Sequence, residues 1–276
     1  MLTEVRRLAV AIVDEHPITA AGIAAELTEH GFAVAGVAVA VESLASAADA
    51  VVCELRLPGR SGPDAVAFLT ERGHRVLATS GVAGPEEILD VIATGARGFV
   101  AKTASVPEFM RAIRDVTDLS YFVSPELADL VLADARLRPL GMDDIGATER
   151  AVLRQFENGG TAGEVAAALG MSAGALADSL SMVWARARAR RARLRPSPRE
   201  RQLMALVARG CSHKEAAAQM SITALTVAGY LKSIKGKYLA IHPDIPESIA
   251  PLTAARRWAE ETGTEFHEAC APGKAS

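Results

Sequence analysis

Cysteine is scarce in this chain. Three of 276 residues are cysteine (Cys53, Cys211 and Cys270), and no two form a C-x-x-C pair. This excludes a disulfide scaffold, a zinc ribbon and a thioredoxin-like site, and it suits a reducing compartment. Aromatic residues are few, with 7 Phe, 3 Tyr and 2 Trp. That is too few for the stacking platforms that hold single-stranded nucleic acid. Long apolar runs are missing; Leu8 to Val13 is typical, so no membrane span is expected. The opening MLTEVRR leads into no secretory apolar stretch with a small-residue cleavage site, which reads as a cytoplasmic start. Hydrophobic residues in general are abundant, at 50%. That composition supports real cores and excludes disorder over most of the length.

Charge is unevenly spread. Residues 1–140 hold 12 Lys and Arg against 19 Asp and Glu, a net of −7. Residues 141–276 hold 18 against 14, a net of +4, and 148–238 alone hold 15 against 6, a net of +9. An acidic half joined to a basic half implies two jobs, the second with a polyanion.

The first half alternates short apolar runs with helical spacing. Strands are predicted at 8–13, 32–39, 51–55, 76–80 and 98–101, and helices at 17–30, 41–47, 63–72, 85–94 and 105–117. Five strands alternating with five helices give a doubly wound parallel sheet, whose function sits at the carboxyl ends of the strands. Those ends carry Asp14 and Glu15, then Glu54, then Thr79 and Ser80, then Lys102. Such a pocket suits a divalent cation balanced by a lysine. It equally suits a self-satisfied ion-pair cluster or ordinary solvated loop starts.

The segments VDEHP (13–17), CELRLPGRSG (53–62), VLATSG (76–81) and GARGFVAKTAS (95–105) resemble the receiver domain of two-component response regulators, in the NarL/FixJ (LuxR-type) branch. The resemblance covers about residues 8–120 and implies a flavodoxin-like fold. It implies magnesium at Asp14, Glu15 and the carboxylate at 54, with Ser80 and Lys102 binding a phosphoryl group. Glu54 stands where the family has its phosphoacceptor Asp. One extra methylene displaces the nucleophile, and phosphoryl transfer depends on placement. A longer carboxylate could instead reach Lys102 and Ser80 and imitate the activated state. The expected receiver is therefore not switched by ordinary phosphorylation. That leaves room for a small-molecule or protein effector there.

The second half repeats at an offset of 51. Glu149, Arg150, Gly159 and Glu164 equal Glu200, Arg201, Gly210 and Glu215, and apolar positions such as Val152/Leu203, Phe156/Val207 and Val183/Ile234 agree. Each copy reads helix, Gly turn, helix, short turn, helix, which is a helix-turn-helix. The second copy, PSPRERQLMALVARGCSHKEAAAQMSITALTVAGYLKSIKGKYL, is similar to the LuxR-type DNA-binding domain along its whole length. The resemblance implies DNA contacts from Lys214, Thr223, Thr226, Tyr230, Lys232, Lys235 and Lys237. The usual basic and amide side chains after the Thr-Val pair are replaced by Ala228 and Gly229. The third helix of the first copy has no basic residue before a tail of Arg186, Arg188, Arg190, Arg191, Arg193 and Arg195. Six arginines in ten residues are expected to touch phosphate.

The expected organisation is a receiver-like domain at 1–120, a Pro- and Gly-punctuated linker at 121–146 around one helix, and a degenerate helix-turn-helix with its arginine tail at 147–195. A LuxR-type DNA-binding domain follows at 196–262, with a Trp258 anchor, and a flexible tail at 263–276. The expected protein is an α/β domain followed by all-α units. It is a cytoplasmic, non-enzymatic transcription regulator that binds duplex promoter DNA as a homodimer, away from membranes. Two other readings stay open at this point: a conventional phosphorylation switch with magnesium, and a protein-interaction anti-activator that reads no DNA.

Overall fold

A computed structural model describes residues 7–44, 47–60, 62–118, 120–141, 144–242 and 244–261. The expected tail at 263–276, with Cys270, lies outside the described residues. The chain divides into two compact units, 1–191 and 192–276.

The first unit opens with β1 (Ala9–Val13), α1 (Pro17–Glu29), β2 (Ala33–Ala38), a 3-10 turn at Val41–Ser43, β3 (Ala50–Glu54) and α2 (Gly62–Thr70). It continues with β4 (Val76–Ser80), α3 (Pro85–Thr94), β5 (Gly98–Ala101) and α4 (Val106–Asp118). All neighbouring strands are parallel, in the order β2-β1-β3-β4-β5. Val10, Ile12, Val52 and Leu77 on one side of the strands and Ala11, Val13, Val51 and Ala78 on the other are fully or almost fully buried. Both faces of the sheet are thus covered, which is why the strands read as continuous apolar runs. Among the described residues of the helix expected at 41–47, the helical part is the 3-10 turn at Val41–Ser43.

The described residues of the expected linker at 121–146 pack into the core of the first unit. Tyr121, Phe122, Val123 and Ile145 are buried, and α5 (Pro125–Leu137) buries Leu127, Ala128, Val131 and Leu132. The Phe122 N–H donates to the Arg97 carbonyl at 2.9 Å. A Cβ at Gly98 would meet the Phe122 carbonyl oxygen at 2.7 Å, so only glycine lets this segment pass against β5.

The first helix-turn-helix copy follows as α6 (Ala147–Glu157), α7 (Ala162–Ala168) and α8 (Ala173–Leu194). The second copy, in the other unit, is α9 (Pro198–Ala208), α10 (His213–Gln219) and α11 (Ala224–Ile241), followed by α12 (Pro251–Glu261). The first helices of the two copies correspond at the predicted offset of 51, as do the second, and the third helices start at it. The local chemistry repeats too. Thr161 with Glu164 and Ser212 with Glu215 form equivalent capping boxes, and Gly159 and Gly210 each take φ of 88° where the first helix ends. Helices α7 and α8 meet at 103°, the angle of a helix-turn-helix.

The first copy shares its core with the sheet domain. Val152, Phe156, Leu180, Val183 and Trp184 join the cluster that holds Val91, Phe99 and Tyr121. The Trp184 indole N–H donates to the Ala96 carbonyl at 2.8 Å, and its ring lies 4.9 Å from that of Tyr121. Among the described residues no single helix is long and apolar enough to cross a membrane.

Candidate functional site

Parallel pairing brings the predicted pocket together. Val13 registers with Cys53, Glu54 with Thr79, and Ser80 with Ala101, so the next residues in chain converge at one sheet edge. Asp14, Glu54 and Ser80 are buried there, at 2%, 3% and 2% exposure. The Lys102 ammonium bridges Asp14 Oδ2 at 2.6 Å and Glu54 Oε2 at 2.5 Å. The remaining carboxylate oxygens are also engaged: Asp14 Oδ1 accepts from the His16 N–H at 2.8 Å, and Glu54 Oε1 from the Arg56 N–H at 2.9 Å. Burial works against the Lys102 charge, but its hydrogen bonds with Asp14 and Glu54 outweigh it and raise the pKa above 10.5. Glu54 therefore reaches Lys102 as expected. The Ser80 hydroxyl instead accepts from the Val82 N–H at 3.3 Å.

Glu15 stands apart. Its carboxylate is partly exposed and lies 3.9 Å from His16 Nδ1. The Lys102 ammonium already supplies a positive charge between Asp14 and Glu54, so a cation bound by these acids would have to displace it. Among the described residues no three His, Cys, Asp or Glu side chains gather to hold a metal ion. Cys53, beside the pocket, is inert: burial first, then the charges of Glu54 and Asp14, push its thiol up to about 12.

The arginine tail divides. Arg190 and Arg191, expected on phosphate, are 1% and 2% exposed. Arg190 pairs with Asp134 at 2.8 Å and Asp144 at 2.7 Å, and Arg191 with Glu86 at 2.7 Å and Asp90 at 2.9 Å. Arg138 links Asp134 to Glu86, at 2.5 and 2.8 Å. The result is an unbroken chain of alternating charges: Asp144, Arg190, Asp134, Arg138, Glu86, Arg191, Asp90. Their place among DNA contacts is thereby corrected, since buried guanidinium groups require carboxylate partners and have them here. Arg186, Arg188 and Arg193 are exposed, although Arg188 Nε donates to the Ala93 carbonyl.

In the second unit α11 turns Val227, Leu231, Ile234 and Tyr238 inward. Lys214 and Lys232 are exposed and Lys235 is partly so. Thr223 caps the helix, accepting from the Thr226 N–H at 3.1 Å, and the two threonine hydroxyls lie 2.9 Å apart. Tyr230 packs its ring against the core and is half-buried. Lys237 is a second correction: its ammonium lies 2.6 Å from the buried Glu200 carboxylate and also donates to the Arg195 carbonyl. It ties α11 to the start of α9. Trp258 is buried at 5%, 5.9 Å from the Tyr238 ring, as its anchor role requires.

Glu200 is legible in the sequence only as part of a capping box. Burial opposes its charge, yet Lys237, Ser233 and Ser197 together pull its carboxyl down to about 2. A depressed carboxylate adds stability above its unfolded pKa, and that stability disappears as pH falls through the folded value. The second unit is therefore expected to lose stability from about pH 4.5 down to about 2. Acid unfolding followed by circular dichroism should show this loss reduced in Glu200→Gln.

Residues 10–114 match the family described as "Response regulator receiver domain", and residues 197–242 match "Bacterial regulatory proteins, luxR family". The chain thus carries both domains of a LuxR-type response regulator, a receiver domain followed by a luxR-family regulatory domain. This response regulator is 24% identical over 135 residues to the transcriptional regulatory protein DesR of Bacillus subtilis, covering 49% of the chain and 64% of DesR. It is 28% identical over 171 residues to UhpA of Escherichia coli, covering 60% of the chain and 84% of UhpA. A solved LuxR-family response regulator from Aurantimonas is similar at 26% identity and a TM-score of 0.43, over 48% of this chain and 99% of that one. The chain thus spans less than two thirds of DesR's length and more of the other two.

Proposed function

We propose that this response regulator is a cytoplasmic, non-catalytic transcription regulator that binds promoter DNA as a dimer through residues 196–262, without phosphorylation at Glu54. The supporting observation is the Lys102 bridge. The phosphoacceptor position carries a longer carboxylate, and both its oxygens and both those of Asp14 are already engaged. A carboxylate held this way is charge-paired, so a phosphodonor or a cation has to compete with Lys102 for it. The DNA reading rests on the LuxR-family match and on residues 197–242 holding seven Lys and Arg against two Glu, a net of +5. Lys214, Lys232 and Lys235 are the phosphate contacts in this reading, with Thr223, Thr226 and Tyr230 beside them. A two-fold dimer on a two-fold site doubles these contacts.

The test is duplex binding across a salt series, with untreated protein and with protein given a small phosphodonor and magnesium. Affinity is expected to be the same in both. Lys232→Ala/Lys235→Ala is expected to flatten the logarithmic salt slope by about 2, near 0.9 for each phosphate no longer neutralised. A tenfold gain on phosphodonor treatment of the wild type would overturn phosphorylation independence. Sedimentation of the complex checks for two chains per site.

A further inference from the structure

The outward face of α11 has little polar reading capacity. Positions 225, 228, 229, 232, 233 and 236 lie on the side of the helix away from the buried Val227, Leu231, Ile234 and Tyr238. They are Leu, Ala, Gly, Lys, Ser and Gly, and the Ser233 side chain is hydrogen-bonded to the Glu200 carboxylate. Both threonine hydroxyls at the helix start are engaged with each other and with the cap. Gly229 and Gly236 face open space: a Cβ at either would meet nothing within 4 Å. The one large side chain at the amino-terminal end of this face is Leu225, and it is 84% exposed.

A branched alkyl group held in water at that point suits an apolar target, and the surrounding charge says what carries it. Lys214 and Lys232 are exposed in a segment of net +5. On duplex DNA the only apolar group on a base edge in the major groove is the thymine 5-methyl. We propose that Leu225 is a specificity-determining residue that reads thymine methyl groups in the major groove. The absence of side chains beyond Cβ at Ala228 and Gly229 lets the helix approach close enough for a side chain of its length. The inference rests on the proposed placement of α11 in the groove.

The experiment selects a preferred site from random duplexes with the full chain, then replaces each thymine of that site by uracil, which removes the methyl alone. Binding is measured for the wild type and for Leu225→Ala, at two salt concentrations. Leu225 is exposed and outside the core, so equal thermal unfolding of the two proteins is expected. The wild type should lose about fourfold at one or two thymines per half-site, the fold-change equivalent to ~0.8 kcal/mol per methyl-sized group buried. Leu225→Ala should bind thymine and uracil duplexes within about twofold of each other and keep the wild-type salt slope. If Leu225→Ala retains the thymine preference, or if the wild type shows none while binding duplex with a steep salt slope, the inference is overturned and the DNA reading stands. If the wild type binds no duplex at low salt, both are overturned.

Discussion

Arg190→Ala is expected to destabilise the first unit by about 3–5 kcal/mol, the usual cost of removing one partner from a buried ion pair. The reason is what the substitution leaves behind. Asp134 and Asp144 are 1% and 7% exposed, and both point a carboxylate oxygen at the guanidinium, at 2.8 and 2.7 Å. Without Arg190, Asp144 is deprived of its buried counter-ion, and Asp134 keeps only Arg138. Arg191→Ala should cost less, because the side chains of its partners Glu86 and Asp90 are 36% and 40% exposed and water can take over. The chain has two tryptophans, so a Trp258→Phe background leaves Trp184 alone to report. Trp184 is 4% exposed in the core shared with the sheet, and its emission in a urea titration follows the unit directly. An unchanged midpoint together with weakened DNA binding would return Arg190 to the phosphate-contact role.

This ion chain also marks the limit of what the sequence reveals. Strands such as Val76–Ser80 and Gly98–Ala101 are legible because burial on both faces leaves an uninterrupted apolar run. The helix-turn-helix copies are legible because capping boxes and Gly turns are local, within a few residues. The partners of Arg190 and Arg191 are 46 to 105 residues away. Nothing near those arginines signals them, so a run of cations at a helix end resembles a DNA tail. Residues 121–146 mislead for a related reason. Pro125, Pro139 and Gly141 punctuate them like a linker, while the core they complete is assembled from the sheet and from α6 to α8. Pocket membership is legible in Asp14, Glu54, Ser80 and Lys102, since parallel topology dictates that strand ends meet. Of the two partners expected for Glu54, Lys102 is found and Ser80 is not, because the Ser80 hydroxyl accepts from the nearby Val82 N–H.

Lys102→Met is the corresponding test of the pocket, and its effect should depend on pH in a way no surface substitution would reproduce. The side chains of Asp14 and Glu54 are 1% and 4% exposed, and one ammonium serves both. Methionine fills similar volume but leaves two buried carboxylates facing each other without a counter-ion. The expected loss at neutral pH is again about 3–5 kcal/mol. Acid relieves the repulsion, so the variant should regain stability relative to wild type as pH falls. At the alkaline end the sign reverses. The Lys102 pKa is raised in the folded protein, so the stability it confers is complete below about 10.5 and is lost as pH rises through the folded value. Wild type should therefore weaken above pH 10.5 more steeply than Lys102→Met. Urea unfolding at several pH values, read on Trp184, measures both limbs. Parallel curves for the two proteins would mean that the lysine does not carry the charge of the pocket. The same variant bears on function. If the bridge holds this receiver in its working form, untreated Lys102→Met should bind duplex DNA more weakly than wild type at a pH where both remain folded. Equal binding would place the bridge in the fold alone.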